Sequence, residues 1–225
     1  MKSFRNAASR QAGFTLVEIA IVLVIIGLLL GGVLRGQEMI DSGRIRQVVN
    51  DMNSLSASYY AYQDRYRLLP GDDNIAHGFT NAGQAPGATG GNGTINGATP
   101  FTSTNNQEQG LFWGHLRNAG FIKGPTTSVA LAQQNAVNAF DQQFGVSASA
   151  TFLLDATANP IPSINILCAS LPTKAAQAVD SNLDDGIGNT GSVRGAPFTA
   201  NTLTAGNAAA AYLNTLPTHT VCKSL

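Results

Sequence analysis

The sequence predicts an α+β protein: one long amino-terminal helix, half membrane segment and half stalk, packed on a small antiparallel β-sheet head. Three observations lead there. Residues 14–34 are 21 positions with a single charge, Glu18. Beyond them, apolar residues recur at alternating spacings of 3 and 4 as far as residue 69. From residue 70 the pattern breaks into short apolar runs among Gly, Pro, Asn and Ser, the composition of short strands, short helices and turns.

Composition limits the function. The 225 residues carry 13 basic and 13 acidic side chains, and charged residues are 12% of the chain, against about 25% in an ordinary soluble domain. The balance argues against a nucleic-acid binder, which needs a basic face to neutralise phosphates. The scarcity argues against a charge-rich disordered chain. Three His and two Cys, spread along the chain, exclude a Cys/His metal cage.

The first element is the membrane segment. Residues 1–13 contain Lys2, Arg5 and Arg10 and no acid. The following run, as a helix of ~1.5 Å per residue, matches a hydrocarbon core of ~30 Å. A secretory signal has a shorter apolar region, of ~7–15 residues, and then a small-residue cleavage site, which Leu34-Arg35-Gly36-Gln37 does not resemble. The span is therefore expected to stay in the chain. Arg35, Arg44 and Arg46 follow it, so the positive-inside count is close to even. Cys168 and Cys222 are the only cysteines. A bridge between them needs an oxidising compartment, which favours a cytoplasmic amino terminus and an external carboxy-terminal region; two unrelated thiols are the other reading. An ionised Glu18 inside a span costs several kcal/mol unless paired, which marks it as a functional candidate.

Gly13-Phe14-Thr15-Leu16-Val17-Glu18, after a short basic leader and before an unbroken apolar run, resembles the type III signal of the type IV pilin and pseudopilin superfamily. The resemblance implies that a membrane prepilin peptidase cuts between Gly13 and Phe14 and methylates the new Phe14 amine. That amine lies on the helical face of Glu18. The two can pair within one subunit, or Glu18 can meet the amine of a neighbour. The resemblance implies the neighbour, in a contact that guides docking into a filament. It also implies a domain order: residues 1–13 a leader that is removed, 14–34 the transmembrane and assembly helix, 35–69 its amphipathic continuation, and 70–225 an extracytoplasmic head. The implied partners are other pilin subunits, the prepilin peptidase and an inner-membrane assembly platform, with nucleic acid left open. The implied location is the inner membrane, single-pass with a periplasmic head, and then a pilus or pseudopilus, the cell surface being one destination. A pseudopilin of type II secretion shares this amino terminus. A membrane-tethered exported enzyme or receptor is the reading from a different class.

Gly27 with Gly31 and Gly32 with Gly36 are small-xxx-small pairs that let helices approach closely, although Gly is also frequent in membrane helices. The stalk stripe is Ile45, Val48, Met52, Leu55, Tyr59, Tyr62, Tyr66 and Leu69, and Pro70-Gly71 is expected to end the helix. The resemblance implies that the outer half of this stripe packs on the subunit's own sheet and the inner half in a filament core. Residues 81–106, rich in Gly, Asn, Ala and Thr, predict an irregular surface loop. Short helices are expected at 108–120 and 173–183, and short strands at 128–131, 150–154, 164–168 and 218–222. A Cys168–Cys222 bridge resembles the disulfide-bounded carboxy-terminal region of many type IV pilins.

Two apparent chemical motifs are weak. Gly186-Ile187-Gly188-Asn189-Thr190-Gly191 spells G-x-G-x-x-G, but the segments around it are not the strand and helix that a dinucleotide site needs. Asp180, Asp184, Asp185 and Asn189 are oxygen-rich, and major pseudopilins of type II secretion bind calcium in such regions. The spacing fits no EF-hand, and Asp-Asp-Gly is ordinary turn chemistry, so no metal is expected. His77, His115 and His219 lie in dissimilar contexts, no nucleophile and base pair is evident, and neither catalysis nor a cofactor is expected. Residues 71–225 hold 13 charges in 155 positions, a neutral polar composition suited to packing against neighbours.

Overall fold

The computed structural model describes residues 15–75, 77–79, 90–97, 100–101, 107–128, 130, 133–148, 161, 163–197, 212 and 217–225. The chain divides into two units, Met1–Ser42 and Gly43–Leu225. Helix α1 (Leu16–Tyr66) is continuous over 51 residues. Within the first unit its residues are exposed apart from half-buried Gly36. This part makes α1 long and apolar enough to cross a membrane.

In the second unit the 3-4 stripe does what its period predicts. Val48, Met52 and Tyr62 are wholly buried, Leu55 and Tyr59 nearly so, and Ile45, Tyr66 and Leu69 pack against them from the rim. The whole stripe belongs to the head's own core. The expected division, with part of the stripe reserved for a filament core, is not seen, because Val48 and Met52 near its lower end are already wholly buried in the head's own cluster. The helix also stops earlier than expected. It ends at Tyr66, where Arg67 takes a φ of 61° and its N–H donates to Gln63 O at 2.8 Å. A left-handed residue at this position closes a helix, and Leu69 before Pro70 is barred from continuing it.

Helix α2 (Glu108–Asn118) buries Leu111, Phe112, Trp113 and Leu116. Strands β1 (Phe144–Ala148), β2 (Asn165–Pro172), β3 (Val193–Pro197) and β4 (Thr218–Ser224) form one antiparallel sheet in the order β1-β2-β4-β3. Helix α3 (Thr173–Leu183) links β2 to β3; its Ala-rich sequence favours the helix, and Ala175, Ala176 and Val179 form its buried face. Side chains alternate across the sheet. Leu167, Ala169, Leu171, Val193 and Val221 join the core with α1 and α2, whereas Ile166, Cys168, Ala196 and Cys222 pack under Phe101 and Ile161.

The α+β class and the long helix stand as expected, and α3 has the expected bounds. Strands β2 and β4 contain the expected segments but run further. Strands β1 and β3 were not expected. Gly145, Ser147, Gly195 and Pro197 give them little strand propensity, and pairing with β2 and β4 creates them. The strand expected at 150–154 lies outside the described residues. Of 128–131, Ser128 and Ala130 are described, and neither is in a strand. The described part of 81–106 is not a simple surface loop. Ile95 is wholly buried and Phe101 nearly so. Asp72 holds this segment through the N–H groups of Gly91, Asn92 and Gly93 at 2.6, 3.1 and 2.7 Å.

Candidate functional site

The candidate assembly site is the start of α1. Gly13 and Phe14, the expected cut and methylation positions, lie outside the described residues. Thr15 is the residue before the helix, and its carbonyl accepts the first helical bond, from Ile19 N at 3.4 Å. Its N–H and its hydroxyl both donate to Glu18 Oε2, at 2.8 and 2.7 Å. Glu18 N in turn donates to Thr15 Oγ1 at 3.3 Å. This is a reciprocal capping box, in which the side chains at both ends of a T-x-x-E stretch satisfy each other's backbone donors. Both residues are exposed. The carboxylate is thus placed by its own helix, and among the described residues its Oε1 has no hydrogen bond. Thr15 is the cap partner of Glu18, a pairing that the T-x-x-E spacing allows.

In the head, Cys168 and Cys222 form a disulfide. They sit directly opposite each other on β2 and β4 and are wholly buried. Asp180, Asp184 and Asp185 also come together, with one oxygen of each within 4.8 Å of the others. Asp180 is buried, and Tyr212 Oη donates to its Oδ2 at 2.7 Å. Burial, with the Asp185 and Asp184 charges adding to it, pushes the Asp180 carboxyl above its ordinary range. Burial likewise pushes the Tyr212 phenol up, with Asp180 adding to it. The other two acids serve the loop after α3. Asp184 Oδ2 accepts from Ser192 N at 2.5 Å and Val193 N at 3.1 Å. Asp185 accepts from Ile187 N at 2.8 Å and Thr190 Oγ1 at 2.5 Å, and the Thr190 bond chiefly lowers its pKa. These bonds are the turn chemistry that Asp-Asp-Gly predicts.

The Gly186–Gly191 stretch lies in this loop, after a helix and before strand β3, the reverse of the dinucleotide order. Each histidine ring has a polar neighbour within the fold. His115 is buried and its Nδ1 accepts from Gly71 N at 3.0 Å. His77 Nε2 lies 2.7 Å from Asp73 Oδ2, which also accepts from Tyr62 Oη at 2.7 Å. The His219 ring lies 2.9 Å from Thr173 Oγ1. A cleft of about 420 Å³ beside the end of α1 is lined by Tyr59, Tyr60, Gln63, Arg67, Ile164 and Asn165 among others. Asn165 serves the fold there, accepting from Ile95 N at 2.8 Å and donating to Tyr59 Oη and Gly93 O.

Fold and site together define a class: a long apolar-ended helix, capped through its own Glu18, carrying a small α+β head. The chain carries the prokaryotic N-terminal methylation motif over residues 8–34, the type IV prepilin-like signal. The long helix and four-stranded antiparallel sheet agree with the α+β fold expected of pilins. Neither the curated proteins nor the solved structures include a match to the chain.

Proposed function

We propose that this chain is a structural subunit of a type IV pilus-type filament. It inserts as a single-pass inner-membrane protein with a periplasmic head. Prepilin peptidase cuts between Gly13 and Phe14 and methylates Phe14, and the subunit joins others through residues 14–34. The single observation that carries this reading is the methylation motif running straight into an exposed apolar helix. Glu18 then contributes to docking, because a carboxylate in a span needs a cationic partner and a neighbour's Phe14 amine is the one that processing creates.

Mass spectrometry of the mature amino terminus tests the reading. Methyl-Phe14 is the expected result; an intact Met1, or a cut beyond residue 34, overturns it in favour of a tethered enzyme or receptor. The second reading, a pseudopilin of type II secretion, has one observation in its favour, the convergence of Asp180, Asp184 and Asp185. Deleting the gene separates the two: lost surface filaments favour the pilus, and lost export of secreted enzymes favours the pseudopilin.

A further inference from the structure

We infer that Asn92 is an acceptor for N-linked glycosylation, taking its glycan from an oligosaccharide activated as a lipid-linked diphosphate. The inference rests on the extracytoplasmic head of the reading above and on no other part of it, so it applies equally to a pilus subunit and to a pseudopilin. Asn92-Gly93-Thr94 is an N-x-T sequence whose middle residue is not Pro, the pattern that N-glycosylating enzymes read. Such a pattern needs a surface position and a free amide nitrogen, and the fold supplies both. Asn92 is exposed. Its Oδ1 accepts from Thr94 N at 2.8 Å and from Thr94 Oγ1 at 2.5 Å. The amide and the hydroxyl of the sequence therefore already lie side by side. Nδ2, the atom to be modified, has no hydrogen bond among the described residues.

The turn is held through its backbone, without Nδ2. Asp72 accepts from the N–H groups of Gly91, Asn92 and Gly93 at 2.6, 3.1 and 2.7 Å. A Cβ added at Gly93 would meet nothing within 4 Å, so the space beside the acceptor is open. Gly91 and Gly93 also line the cleft at the end of α1, where Tyr60 is 53% exposed. A sugar joined to Asn92 thus starts at the rim of that cleft, near an aromatic face and the polar groups of Gln63 and Arg67. That mixture matches the apolar C–H face and the hydroxyls of a sugar ring. The transfer balances without an oxidant or reductant. Nδ2 forms a bond to the anomeric carbon, and the bond from that carbon to the diphosphate oxygen breaks. The diphosphate leaves with the electron pair, and the amide gives up one proton to solvent.

The test is mass spectrometry of the full chain, purified without reduction from the cells that make it. Peptide fragmentation should place a hexose- or hexosamine-containing mass on Asn92 of the wild-type chain. Asn92→Gln and Thr94→Ala should lose it, whereas Thr94→Ser should keep it, because it retains the hydroxyl. The wild-type result decides the inference before any variant is read, so a variant that folds poorly cannot obscure it. An unmodified Asn92, or an Asn92 changed only to Asp by deamidation, overturns the inference, as does glycan confined to Ser or Thr residues. The same sample tests the underlying reading separately, since alkylation shows whether Cys168 and Cys222 are bridged. Free thiols would mean that the head never met an oxidising compartment, which overturns its location and the lipid-linked donor together. A formed bridge beside an unmodified Asn92 overturns the glycosylation alone.

Discussion

Replacing both cysteines, Cys168→Ala with Cys222→Ala, tests how much of the head's stability is held in one cross-link. The bridge joins positions 54 residues apart, and that stretch contains all of α3 and β3. For a loop of this size the chain-entropy model gives about 4 kcal/mol, all of it from restricting the unfolded chain. The native state supports the full figure, because the register of β2 and β4 already sets the two residues face to face. Both are wholly buried beside Ile166 and Ala196, so the loss of two sulfurs adds a small packing cost. For a chain of this size, about 4 kcal/mol corresponds to a Tm lower by about 8–16 °C. The assay is thermal unfolding of the detergent-solubilised full chain, followed by near-UV circular dichroism from the buried aromatics. Each single substitution should cost nearly as much as the double, since the bridge acts as a unit. The far-UV helical signal of residues 16–42 should outlast the head's transition. A Tm drop below about 2 °C would refute the reasoning, because the strands would then be holding the loop without help from the bond.

Two further predictions concern the head. Asp180→Asn removes a carboxyl whose folded pKa is raised above its ordinary value of 3.8, chiefly by burial. A raised acid contributes stability that is fully present below the unfolded value and is lost as pH rises through the folded one. The variant should therefore gain stability relative to wild type as pH increases from about 4. A pH series of urea midpoints checks this, and a constant difference across pH would contradict it. Gly71→Ala should destabilise the head by about 2 kcal/mol. Its φ is +96°, and an added Cβ would sit 2.5 Å from Glu108 O on α2. A urea midpoint within experimental scatter of wild type would show that the turn shifts freely.

The parts of this protein that could be read from the chain are those in which a local rule and the tertiary structure agree. The stalk stripe is the clearest case. A 3-4 spacing sustained from Ile45 to Tyr66 admits one helical face, and that face is the buried one. Helix α3 is another, because its Ala-rich composition and its amphipathic pattern point the same way. Strands β1 and β3 were hidden for the opposite reason. Val193-Arg194-Gly195-Ala196-Pro197 has no strand pattern of its own and becomes a strand through its register with β4. The role of Ile95 was hidden as well, since an apolar residue alone in a Gly-rich stretch carries no period. Only the grip of Asp72 on Gly91, Asn92 and Gly93 shows why that stretch lies against the core.

The same contrast holds for the candidate site. The methylation motif at residues 8–34, the apolar span and the lone charge of Glu18 within it are matters of composition and spacing, so they could be recognised without coordinates. So could the T-x-x-E pattern, but its spacing says only that Thr15 and Glu18 can meet. That both donors of Thr15 fall on one oxygen and leave the other open is a matter of rotamers and hydrogen-bond geometry. The convergence of Asp180, Asp184 and Asp185, and the burial of the first of them under Tyr212, likewise belong to three dimensions. Periodicity and covalent chemistry are written along the chain and survive in any conformation. Pairing, burial and the direction of a lone pair depend on residues far apart in sequence, and they exist only once the chain has folded.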